Sequence, residues 1–159
     1  MLISEEHLSK EVKRHITDPE YGGEAIEFAP QISSAINALG AEDVLDYGAG
    51  KGELHRHLVL DHRVALHLYD PAIKQISELP DPHEMTLCVN VLDHVEDECI
   101  DAVLDDLKRC TLKASFIVIG EDDRDMEWWL PKLTCRFRIE SLVRSDKDFF
   151  IIASAKEWQ

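Results

Sequence analysis

Apolar residues recur every four positions across residues 5–16, where Leu8, Val12 and Ile16 follow Leu2 upstream, and this spacing predicts a helix. The pattern stops at TDPEYGG, a run of turn formers. It resumes over a second helix from about Ala25 or Pro30 to Leu39, with Ile32, Ile36 and Leu39 on one face and Gly40 just past the end. From there short apolar runs take over. DVLDY predicts a strand, a glycine loop follows, and ELHRHLVL predicts the start of a helix. RVALHLYD reads as a strand, PAIKQISELPDP as a short helix or loop, MTLCVNVL as a strand buried on both faces, and EDECIDAVLDDLKRCTL as an amphipathic helix. ASFIVIG is a further strand and RDMEWWLPKL the start of a helix. RFRIESLVRS and DFFIIASAKE close the chain as two strands joined by a polar turn, a hairpin.

Strands alternating with helices predict an α/β chain: a Rossmann-like, open, mostly parallel sheet with helices on both faces and an antiparallel hairpin at the C-terminal end. No internal repeat or linker interrupts it, so residues 1–159 are expected to form a single domain with its core from residue 41 onward. Ligands of such sheets lie beyond the carboxyl ends of the strands, near the point where strand order reverses. The glycine loop follows the first strand and so falls at that place.

Composition narrows the partners. With 45% hydrophobic residues among 159, the chain can bury a core. No apolar run approaches the ~20 residues of a membrane span, and MLISEEHLSKEVKRH lacks the basic-then-apolar layout of a signal peptide, so a cytoplasmic protein with no membrane partner is expected. The net charge of −15 repels phosphate backbones and argues against general nucleic-acid binding. Cys88, Cys99, Cys110 and Cys135 show no paired spacing and read as reduced thiols used as small hydrophobes. Among eight histidines only His55 and His57 are close, and positions i and i+2 do not share a helix face, so no metal is expected.

The loop VLDYGAGKGEL, Val44 to Leu54, holds three of the seven glycines, Gly48, Gly50 and Gly52. It has no G-x-x-x-x-G-K-[ST], and its G-x-G-x-G is one residue short of a dinucleotide fingerprint. Asp46, two residues before the first glycine, would repel a pyrophosphate and attract an ammonium or sulfonium. Asp70 ends ALHLYD one strand–loop–helix–strand step later, placed to accept from ribose hydroxyls. A strand-end aspartate taken alone reads equally well as a helix cap. In this order, the glycines and the two acids read as a nucleoside site without phosphates.

These motifs resemble those of the class I S-adenosylmethionine-dependent methyltransferases: VLDYGAGKG the first, LYDPA the second, and LCVNVLDHVED the fourth-strand motif, over roughly residues 40 to 120. Asn90 stands where that family often has Asp, and Asp93 where it often has Glu; His94 is retained. The resemblance implies S-adenosylmethionine as cofactor. Asp46, Gly48, Ala49 and Gly50 would face its methionine part, Asp70 beside Pro71 its ribose, and Asn90 and Val91 the region beneath the reacting methyl, with the helices of residues 1–40 covering this side. It implies methyl transfer to an unidentified acceptor, expected to be a small molecule. The alternative is a non-catalytic cofactor-binding or scaffold protein on the same fold.

Two departures shape that expectation. The stretch between Asp70 and Met85 is too short for a further strand with its helix. The family's third strand is therefore expected to be vestigial or absent, the adenine side being covered by ISELPDP with Leu79 or His83 as substitute contacts. Only EDDRDM separates Gly120 from Glu127, which leaves the reaction face open. His94 is the candidate catalytic base and Asp93 its orienting partner, the other reading being that the pair simply opens the following helix. Glu121, Asp122 and Asp123 read as a solvated acidic turn or a cradle for a cationic acceptor. Trp128 and Trp129, ~100° apart on a helix, cannot both face inward; an exposed one would stack on an acceptor or seat a homodimer. Tyr21 is placed to close over the cofactor or to serve as a turn residue.

Overall fold

A computed structural model describes residues 1–156; the tail of the last expected strand, at Glu157, lies outside the described residues. Six strands form one sheet in the order β2-β1-β3-β4-β6-β5, with β1 at Asp43–Tyr47, β2 at Ala65–Tyr69, β3 at His83–Val89, β4 at Thr111–Ile119, β5 at Phe137–Ser145 and β6 at Asp148–Ala155. The first four strands in chain order pair in parallel, and β6 runs antiparallel between β4 and β5. The chain moves outward from β1 to β2 and then returns to place β3 on the other side of β1. The reversal of strand order therefore lies between β1 and β3. No strand separates β2 from β3 in the chain: residues 70–82 carry a single 3₁₀ turn, Lys74–Ile76, and β2 is an edge of the sheet.

Among the described residues four α-helices accompany the sheet: α1 at Glu5–Thr17, α2 at Ala29–Leu39, α3 at Asp97–Cys110 and α4 at Met126–Thr134. Burial of β3 on both sides follows from its continuous apolar run, since a parallel strand in mid-sheet has no solvent face. On one side Leu45, Cys88, Ile117 and Ile151 pack with Ile100, Leu104 and Leu107 of α3 and Trp129 and Leu133 of α4. On the other, Val44, Met85, Leu87 and Val118 pack with Ile32 and Ile36 of α2 and with Phe28 of the 3₁₀ turn that leads into it. Leu39, expected on that same α2 face, is exposed instead.

The helix expected at ELHRHLVL is not formed. One 3₁₀ turn, Leu54–His57, is followed by extended chain. The reason lies in α2. Ser33 Oγ accepts from the Val59 N–H (3.0 Å), and Asn37 brackets the next residues, its Nδ2 donating to the Val59 carbonyl (3.0 Å) and its Oδ1 accepting from the Asp61 N–H (3.0 Å). The backbone groups that a helix would pair internally are paired with a neighbouring element, and tertiary contact overrides the local pattern. α1 packs differently from α2. None of its residues is fully buried, and Ile16 faces solvent, because this helix does not lie on the sheet but at the carboxyl ends of the strands.

Candidate cofactor site

At the carboxyl ends of β1 and β2 the parallel register sets Tyr47 beside Tyr69, so the chain leaves both strands at the same level. The glycine loop turns back at once: the amides of Gly48 and Ala49 both donate to the Tyr69 carbonyl, at 2.7 and 2.9 Å. Gly48 has φ +84°, and a Cβ there would lie 2.3 Å from Val91 Cγ2. Any side chain at residue 48 would thus strain the backbone and collide with the segment after β3. Asp70 anchors the loop's next step, Oδ2 accepting from the Gly50 N–H (2.9 Å) and Oδ1 from the Ala72 N–H (2.9 Å). Each oxygen keeps a further lone pair for another donor.

Asp46, Gly48, Ala49, Gly50, Asp70, Pro71, Asn90, Val91 and His94 all line one cavity. Three separate stretches of sequence are joined there by the strand-order reversal. α1 and the turn after it close the near side with His7, Glu11, His15 and Tyr21. Tyr21 donates to Glu11 Oε2, and burial with that carboxylate pushes its phenol up to about 12, so it remains a donor. His15 packs edge-on to the Tyr21 ring, and its Nδ1 is buried with no partner among the described residues. The sequence pattern marks α1 as amphipathic but carries no signal for which of its polar side chains point inward.

The electrostatics of the cavity are one-sided. Among the described residues its lining includes Glu11, Glu24, Asp46, Asp70 and Glu96 and no lysine or arginine. Asp46 is buried, and desolvation together with the neighbouring Asp70 pushes its carboxyl up to about 7. An opposite charge placed beside this carboxyl would favour its ionised form. A pyrophosphate would meet uncompensated carboxylates here.

The segment after β3 carries the candidate catalytic pair. Asn90 adopts φ +53°, a left-handed conformation that asparagine tolerates better than most residues, and its amide still donates to the Val118 carbonyl (2.9 Å). A 3₁₀ turn, Leu92–His94, then presents His94 to the cavity with its side chain 48% exposed. Asp93 does not line the cavity. It turns beneath the 3₁₀ turn toward Gly120, close enough that a Cβ on Gly120 would come within 2.8 Å of its Oδ2, and the same oxygen lies 3.5 Å from His94 Nε2. Burial pushes the Asp93 carboxyl above the usual carboxylate range.

The turn is fastened by a residue that sequence reasoning missed. Arg124 donates to the carbonyls of Leu92 (3.2 Å), Asp93 (3.0 Å) and Val95 (3.0 Å), pairs with Asp122 at 2.7 Å, and lies 4.7 Å from the Trp129 ring centre. Asp122 is thereby committed to Arg124, while Glu121 and Asp123 stay exposed. Trp129 is fully buried and Trp128 half-buried against the same core. Neither substitute proposed for adenine contact reaches the cavity. Leu79 is exposed, and His83 opens β3 at the opposite, amino end of the sheet. Cys88, Cys99 and Cys110 are buried free thiols, and Cys135 is an exposed one.

No protein-family model matches the sequence, and no curated protein matches it. Solved structures do. The 1,6-didemethyltoxoflavin-N1-methyltransferase of Burkholderia thailandensis, solved with its acceptor and S-adenosylhomocysteine, superposes with a TM-score of 0.71 at 16% identity, over 98% of this chain and 92% of that one. The magnesium protoporphyrin IX methyltransferase of Synechocystis PCC 6803, with bound S-adenosylhomocysteine, gives 0.66 at 13% identity over 82% and 83%. The 16S rRNA methylase RmtB gives 0.62 at 12% identity over 98% and 77%. At such identities the likeness speaks for architecture, and the three acceptors differ too widely to choose one. The chain has the class I S-adenosylmethionine-dependent methyltransferase fold.

Proposed function

We propose that the chain is a methyltransferase that binds S-adenosylmethionine in the cavity between β1, β2, β3 and α1 and methylates a small molecule. The observation that carries this reading is the carboxylate-lined cavity without lysine or arginine, set on a glycine loop too tight for side chains. The residues fit the cofactor. Asp46 would face its cationic amino-acid part, and the Gly48–Gly50 backbone would let that part approach closely. Asp70, with free lone pairs on both oxygens, would accept from the ribose hydroxyls, and Asn90 and Val91 would floor the reacting end.

When bound, the cofactor supplies a methyl group on a sulfonium, already activated for in-line displacement. The protein's share is to hold the acceptor's lone pair in line and to take up any proton the acceptor loses. His94, half-exposed at the cavity and backed by Asp93, is the group positioned for that proton. The solvent-open side of His94 suits an acceptor entering from outside. The acidic surface and the lack of basic lining favour a neutral or cationic small molecule over nucleic acid.

Calorimetry with S-adenosylhomocysteine and S-adenosylmethionine tests the cofactor step. Stoichiometric micromolar binding, lost in Asp70→Ala, is expected; no heat at millimolar ligand would remove the proposal. Transfer is tested with labelled methyl donor against pools of small molecules. Label is expected in a low-mass product, with a turnover at least about tenfold lower in His94→Gln, as for loss of a general base.

A further inference from the structure

At the end of the sheet away from the cavity, three strands bring together residues that no local spacing connects. Asp43 opens β1, His67 lies in the middle of β2, and His83 opens β3. His67 Nε2 is 2.9 Å from Asp43 Oδ1, and His83 Nδ1 is 2.9 Å from Asp43 Oδ2. All three ligand atoms fall within 4.8 Å of one another. We infer that Asp43, His67 and His83 form a binding site for a divalent transition-metal ion of the zinc class, separate from the cofactor cavity.

The donor set is the first argument. Two imidazole nitrogens and one carboxylate match the preference of zinc and its neighbours, and three protein ligands with an open fourth position form a recognised zinc geometry. Ligand atoms around a tetrahedral zinc lie about 3.3 Å apart, and here each imidazole nitrogen is 2.9 Å from one Asp43 oxygen with the three ligand atoms within 4.8 Å of one another, so side-chain shifts of about an ångström would gather them. Side-chain exposures of 40% for Asp43, 47% for His67 and 12% for His83 leave the fourth position to solvent while one ligand is held firmly.

The second argument is convergence. The two imidazole rings stack at 4.2 Å between centres, 30° from parallel. A nitrogen of each faces the one Asp43 carboxylate, and a metal ion would accept lone pairs from both imidazoles and that carboxylate together. The neighbourhood is also acidic. Glu84 accepts from the Glu42 N–H and pairs with Lys113, so the nearby cation is already engaged.

The site's consequence is mechanical. β2 is an edge strand of five residues with no further strand outside it, and the metal would tie it to β1 and β3. Asp43 lies three residues before Asp46, about 10 Å along the strand, so the ion would steady the sheet beneath the cofactor site without entering it.

The test uses the full chain with any affinity tag removed, stripped with chelator and desalted. Zn²⁺ titration by calorimetry should show one equivalent bound with micromolar or tighter affinity, and Zn²⁺ should raise the thermal midpoint. His67→Gln, whose ring is half-exposed and whose folding is checked by circular dichroism, and Asp43→Asn should each weaken binding by about tenfold or more and abolish the thermal shift. Co²⁺ should give visible bands of a low-coordinate nitrogen–oxygen site with no thiolate charge-transfer band. Absence of saturable Zn²⁺ binding, binding unchanged in His67→Gln, or a thiolate band that moves the ion to the cysteines would each overturn the assignment.

Discussion

Asp46 shows how one buried carboxylate joins stability to ligand choice. Its carboxyl titrates near pH 7 in the folded protein against an ordinary value of 3.8. A raised carboxyl favours folding while protonated, so its contribution is complete below about 3.8 and is lost as pH rises through about 7. Asp46→Asn removes the ionisation. At pH 8 the variant is expected to be more stable than the parent, on the order of 2–4 kcal/mol, with the two curves converging toward pH 4. Denaturant unfolding of both proteins across that range measures this; an Asn variant no more stable at pH 8 would contradict the burial argument. The same variant should bind S-adenosylmethionine more weakly, since the charge it lacks is the one proposed to face the cation. Gly48 offers a second residue-scale test with an internal reference. Gly48 and Gly40 both have positive φ, but a Cβ at Gly40 meets nothing within 4 Å whereas one at Gly48 meets Val91. Gly40→Ala should cost about 1 kcal/mol, the left-handed backbone term alone. Gly48→Ala should cost clearly more and abolish cofactor binding; equal unfolding midpoints for the two would show that the loop yields freely.

Between elements, Arg124 carries the connection from the turn after β4 to the turn after β3. Its guanidinium serves three carbonyls of residues 92–95 and two carboxylates, Asp97 and Asp122, over the face of Trp129. Arg124→Ala leaves those part-buried carbonyls without a donor and should destabilise the fold by about 2–3 kcal/mol. It should also lower kcat more than it changes cofactor affinity, because the loosened turn is the one that presents His94. Arg124→Lys should not rescue it, since an ammonium lacks the planar fork that reaches several acceptors at once. Kinetics and unfolding of the two variants decide this, and full activity in Arg124→Lys would reduce Arg124 to a simple charge. The same scale explains what could be read from sequence. The mid-sheet strands are visible as apolar runs, and α3 as an apolar stripe, because those elements bury what they show, whereas β5 at the sheet's edge leaves Leu142 and Val143 exposed. ELHRHLVL misleads because Ser33 and Asn37, more than twenty residues away, take up its backbone groups, and residues of neighbouring elements leave no local trace.

Across the whole molecule, the cavity's eight expected cofactor residues could be assembled from sequence because β1, β2 and β3 deliver them at strand ends, where motif and topology coincide. Residues placed by packing alone, such as His15 and Glu11 on α1, Arg124, and the Asp43–His67–His83 cluster, come together only in three dimensions. The charge was legible from the start, and its consequence is kinetic. A net charge of −15 surrounds a cavity whose own lining is acidic, so the field should draw in a cation and leave a neutral ligand unaffected. S-adenosylmethionine carries one net positive charge at neutral pH and its demethylated product none. Stopped-flow association of the methyl donor should therefore slow as salt rises from low to several hundred millimolar, by on the order of tenfold, the lower end of what focusing in a charged cleft produces. Association of S-adenosylhomocysteine should stay nearly flat over the same range. Parallel salt dependences for the two ligands would mean that the carboxylates act only after contact, within the cavity, and that the surface charge serves another purpose.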